Sequence, residues 1–101
     1  MIRGTTPTLV FHTPYKGDMV ASGFITFTQR GDILLDIPIS DSSVEVSNNA
    51  IALTLTQAQT LLFDPQGKNL VQLRLVLEDG SVVASNIVTI SVGKILKDGE
   101  I

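Results

Sequence analysis

The chain has 101 residues, with 7 Lys plus Arg against 10 Asp plus Glu for a formal charge of −3, one His, no Cys and 44% hydrophobic residues. That length fits one domain able to bury roughly two-thirds of the surface its unfolded chain exposes, and the composition is too apolar for a disordered chain. Without Cys there is no disulfide or thiolate chemistry, a lone imidazole excludes any site built on two, and dispersed cations on an acidic chain leave no basic stripe for nucleic acid.

Along the chain the dominant signal is alternation with period two, which sends successive side chains to opposite faces of a sheet. Thr8–His12 and then Phe24–Gln29 carry the β-branched and aromatic residues that suit a pleated surface. Ile33, Leu35, Ile37 and Ile39 alternate with Leu34, Asp36 and Pro38, which predicts a strand with one apolar face. Gln29-Arg30-Gly31-Asp32 reads as the tight turn joining it to the strand before. Val44–Ser47 supplies a further short strand, and Asn48-Asn49 a turn, because Asn enters left-handed backbone geometry more easily than most residues. Ile51, Leu53 and Leu55 alternate with small or hydroxyl residues, giving the next strand.

Thr56-Gln57-Ala58-Gln59 has the spacing of a capping box and predicts the chain's one short helix, running through Leu61 or Leu62. Asp64-Pro65-Gln66-Gly67 stops it, since Pro cannot continue the ladder. Val71, Leu73, Leu75 and Leu77 then form the inward row of a long strand, Glu78-Asp79-Gly80-Ser81 the strongest hairpin signal in the chain, and Val82–Val92 the returning strand. Asn86 interrupts the apolar face of that strand and marks a bulge or a change of sheet. Left uncovered, so long an edge would invite pairing with another chain. Rows of Ile, Leu and Val on single faces require a second layer to cover them. The expected fold is an all-β, immunoglobulin-like antiparallel two-sheet sandwich of about seven strands with one short helical crossover, forming one domain over residues 1–93 with a tail or arm at 94–101.

Candidate chemistry is sparse. Arg30-Gly31-Asp32 spells a receptor-read tripeptide, yet Gly at a tight turn flanked by charges has a sufficient backbone reason. His12, Asp18 and a serine show no spacing that assembles a triad, and no nucleophile elbow occurs. Asp32, Asp36, Asp41 and Glu45 lie close in sequence without a calcium-loop pattern. The glycines are scattered singly, so no phosphate-cradling loop exists. No catalytic residue, metal ligand or cofactor is expected. Beyond Gly93 the apolar Ile95, Leu96 and Ile101 either return to cover the domain's open end or dock as an arm on another subunit, and these are the candidate interaction residues. No apolar run reaches membrane-spanning length and Met1-Ile2-Arg3-Gly4 does not read as a signal peptide, so neither membrane contact nor export is expected.

The runs Met1-Ile2-Arg3-Gly4-Thr5-Thr6-Pro7-Thr8, Ile25-Thr26-Phe27-Thr28-Gln29, Val71-Gln72-Leu73-Arg74 and Gly93-Lys94-Ile95-Leu96-Lys97-Asp98-Gly99-Glu100-Ile101 resemble small prophage proteins of Gram-positive bacteria encoded among tail and structural genes. More loosely, the layout is similar to the immunoglobulin-like domain that begins phage upper baseplate proteins. The resemblance implies a structural or assembly protein of tail or baseplate, acting through protein contacts. Its partners would be other virion or tail proteins or further copies of the chain. The bacterial cytoplasm during assembly, and then the particle, would be its locations. The alternative is a non-structural prophage accessory that binds a host factor. No catalytic residue carries over from either group.

Overall fold

The alternation resolves into two antiparallel sheets in the computed structural model, which describes residues Met1–Ile101 with 48% in strands and 8% in helices. In chain order the elements are β1 (Thr8–His12), β2 (Val20–Gln29), β3 (Asp32–Pro38), β4 (Val44–Ser47), β5 (Ala50–Thr54), α1 (Gln57–Leu61), β6 (Asn69–Leu77), β7 (Val82–Ala84) and β8 (Val88–Ile90). One sheet has the order β1-β5-β4; the other runs β3-β2-β6, with β7 and β8 both on the remaining flank of β6. Read as strands B-E-D facing C′-C-F-G, this is the immunoglobulin-like arrangement, with β7 and β8 sharing the last position and no strand A beside B.

The turns form where their chemistry requires. Arg30 and Gly31 both take positive φ (54° and 85°), the geometry of a two-residue turn that matches strand twist. Asn49 (φ 64°) closes the β4–β5 hairpin and Gly80 (φ 87°) the β6–β7 hairpin. α1 carries the expected box: Thr56 Oγ1 accepts from the Gln59 backbone N–H at 3.1 Å, and Gln59 Oε1 accepts from the Thr56 N–H at 2.9 Å. The helix crosses from β5 in one sheet to β6 in the other.

Between the sheets lies one cluster formed by Ile25, Phe27, Ile37, Ile51, Leu53, Leu55, Phe63, Val71, Leu73, Leu75 and Leu77. The rows expected from β5 and β6 are buried throughout. β3 departs from expectation. The β2–β3 register shifts between Phe27 and Thr28, so Ile37 is buried but Ile33, supposed to share its face, is 67% exposed. Val82–Val92 is also not continuous. β7 and β8 pair with the same strand, and Ser85-Asn86-Ile87 breaks the ladder between them. Ser85 Oγ accepts from Leu73 N–H and donates to the Asn86 carbonyl, which holds the interruption open. Between the Ala84–Arg74 and Val88–Val71 pairs, Ser85-Asn86-Ile87 stand opposite only two residues of β6, so Asn86 marks the expected bulge and not a change of sheet.

The two ends of the chain meet. The Met1 ammonium donates to the Ser91 carbonyl, Ile2 and Gly93 form a parallel bridge, and the Arg3 N–H donates to the Gly93 carbonyl at 3.1 Å. The Arg3 side chain then fastens the end of α1: Nε donates to the Phe63 carbonyl at 2.8 Å, one terminal nitrogen to the Leu61 carbonyl at 2.9 Å, and the other to Asp98 at 3.1 Å. Carbonyls at a helix C-terminus lack intrahelical partners, and a guanidinium fork supplies several donors at once. Thr60 Oγ1, buried beneath, donates to the Thr5 carbonyl and ties the same helix to the amino-terminal segment.

Candidate functional site

The two sheets are unequal in width, with seven strand positions divided as three against four, counting β7 and β8 as one position. On the side where β1 ends the narrower sheet, the β7–β8 flank of the wider one is incompletely covered: Val88 is 53% exposed, although Val71, Leu73 and Leu75 of β6 are buried. A cleft of about 750 Å³ opens there between β1 and the β7–β8 flank. Leu9 and Phe11 line one wall, Val83 and Ile90 the other, and the core residues Val71, Leu73 and Leu75 form its floor. Its lining holds no Asp, Glu, Lys or Arg, and its one imidazole is His12, at the exposed end of β1.

The rim of the cleft is a free strand edge. Leu55 N–H donates to the Pro7 carbonyl and Thr13 N–H to the Asn49 carbonyl, bracketing β1 in a register that pairs Leu9 with Leu53 and Phe11 with Ile51. Hydrogen-bonded pairs alternate with non-bonded ones in an antiparallel ladder, so Leu9 and Phe11 spend their backbone groups on β5. Thr8, Val10 and His12 consequently point their N–H and C=O groups outward, beside the cleft, where no other strand pairs with β1.

Arg30-Gly31-Asp32 sits at the β2–β3 turn, and Arg30 forms an ion pair with Asp64, which also receives the Gln66 N–H. Asp64 N–H in turn donates to Gln29 Oε1, so the turn is fastened to the loop after α1. That loop closes on the buried Asn69, whose Nδ2 donates to the Asp64 and Gly67 carbonyls while its Oδ1 accepts nothing from the protein. Asp36 accepts from Thr26 Oγ1 across the outer face of β2 and β3. No three of the His, Asp and Glu side chains converge as metal ligands would. The Asp79 carboxyl is held below its ordinary pKa by hydrogen bonding from the Ser81 N–H at 2.9 Å, because that bond favours the ionised carboxylate.

The candidate interaction residues of the tail divide. Ile95 is half-buried and lies close to Gly4 and Leu61's end of α1, whereas Leu96 and Ile101 are 108% and 91% exposed. The Gln57 side chain exchanges two hydrogen bonds with the Ile101 backbone, so the tail follows the domain's own surface while showing two apolar side chains outward. Sequence reasoning looked for an inviting edge in Val82–Val92. The break at Ser85–Ile87 blunts that edge, and the inviting one is β1. A signal for it was present, since Thr8–His12 holds neither Pro nor a carboxylate nor Lys.

No protein-family model, curated protein or solved structure matches the chain. No helix is long and apolar enough to cross a membrane.

Proposed function

We propose that this chain is a phage-derived structural or assembly protein of the tail or baseplate type that acts through protein–protein contacts and not through a reactive centre. The observation that carries the reading is the open side of the sandwich, where a free strand edge borders an apolar cleft floored by the protein's own core. Apolar surface continuous with a core and left uncovered is costly in water, and an interacting partner is the usual reason for its persistence. The resemblance of both chain ends to prophage proteins encoded near tail genes supplies the setting. In that setting the protein is made in the bacterial cytoplasm and carried into the particle. Mass spectrometry on particles purified after prophage induction tests this, with the chain expected at a fixed stoichiometry to other tail proteins. Recovery only from the lysate would replace the reading with that of a non-structural accessory binding a host factor.

A further inference from the structure

We propose that the cleft beside β1 is a vacant strand position, filled by an extended segment of a partner protein that pairs with β1 and points alternate apolar side chains inward. The inference rests on the assembly reading and specifies its contact. In an immunoglobulin-like order a strand flanks B, and here β1 holds the B position with nothing beside it. A strand added there would meet the outward N–H and C=O groups of Thr8, Val10 and His12. Its inward side chains would fall on Val83, Val88 and Ile90, of which Val88 is 53% exposed, above the buried floor of Val71 and Leu75. One segment would thus supply both backbone partners and apolar cover, as strand addition to a sheet edge does.

The other edges are unsuited to the role. β3 carries Asp36 and Pro38, β4 is only 4 residues long and carries Glu45, and β7–β8 is interrupted at Ser85–Ile87. Each device discourages pairing, and β1, at 5 residues also short, carries no carboxylate, no proline and no interruption. The occupant's chemistry follows from the lining, which offers aliphatic and aromatic contacts but no Asp, Glu, Lys or Arg to an incoming chain. A folded second copy is a poor occupant. Two copies joined β1 to β1 would bring their wider sheets, each overhanging the junction by a strand position, into the same space. The segment must instead be free of a sheet of its own.

The test uses the full chain, isotopically labelled, and two uncharged-core peptides of identical composition capped by lysines. One alternates valine with threonine, and the other gathers the valines into a block. The alternating peptide at millimolar concentration should slow amide exchange at Val10 and His12 and shift the signals of Val71 and Leu75, with the blocked peptide at least about tenfold weaker. Val10→Pro is the decisive variant. Its lost N–H faces away from β5, so the domain should keep its fold and its melting transition while peptide affinity falls about tenfold or more. Equal binding of the two peptides, unchanged affinity of Val10→Pro, or absence of binding at millimolar peptide would each overturn the proposal. So would shifts of cleft side chains without protection at Val10 and His12, which would make the cleft a pocket for a small apolar molecule. The assembly reading is tested separately: if Val10→Pro enters particles as readily as wild type, strand addition fails while that reading stands.

Discussion

Replacing one leucine at a time separates the closed interior from the open side. Leu53 in β5 is fully buried and does not border the cleft, whereas Leu73 in β6 is 3% exposed and forms part of its floor. Truncation of either to Ala removes three carbons, worth about 2.4 kcal/mol at about 0.8 kcal/mol per methylene. A cavity term of about 24 cal/mol per Å³ adds to this where the void cannot collapse or fill. Leu53 is enclosed by both sheets, so the vacated space remains and the total should reach about 4 kcal/mol. At Leu73 the vacated space joins a cleft already open to water, so the cavity term largely disappears and the loss should stay near 2–3 kcal/mol. Urea unfolding followed by far-ultraviolet circular dichroism gives both values directly, provided the dependence on denaturant is unchanged. Thermal midpoints should fall in the same order, by about 4–8 °C per kcal/mol. A loss at Leu73 equal to or larger than that at Leu53 would refute the assignment of an open side to the sandwich.

Gly23 offers a sharper steric test, because a Cβ there would lie 2.4 Å from the Arg74 carbonyl oxygen; Gly23→Ala should cost about 1–3 kcal/mol or more, and an unchanged melting temperature would contradict the close β2–β6 approach. Arg3→Met keeps much of the side chain's apolar length but leaves the Leu61 and Phe63 carbonyls without their donor, for an expected loss of about 1–3 kcal/mol in urea unfolding at neutral pH. Asp79→Ala should weaken the β6–β7 hairpin in a pH-dependent way. The native carboxylate is held below its ordinary value, so its stabilisation is complete above the ordinary carboxylate range and fades as the pH falls through the lowered value. Wild type and variant should therefore converge in strongly acidic solution, and a constant difference across the titration would assign the effect to something other than the Ser81 hydrogen bond.

Local features were legible because their causes are local. The capping box of Thr56 and Gln59, the positive-φ turns at Gly31 and Gly80 and the inward rows of β5 and β6 depend on residues a few positions apart, and each forms as its chemistry dictates. Ile33 misled the pattern because a register shift depends on the partner strand, which the β3 residues do not encode alone. The role of Arg3 was likewise hidden: its acceptors lie 58 and 60 positions away, and a lone arginine near a chain start carries no signature.

The site divides in the same manner. The lack of charge and proline in Thr8–His12 can be read directly, but whether that strand ends a sheet or is covered by a neighbour cannot. Alternation fixes which side chains share a face, since the pleat has a period of two wherever the strand lies. It fixed the class of this protein as paired antiparallel layers around one apolar interior. The order of strands, the unequal widths of the layers and the bare flank of β1 arise from pairings between distant segments, whose energies depend on long-range packing and loop closure. Only the assembled structure decided those, and with them where an apolar cleft opens beside a free strand edge.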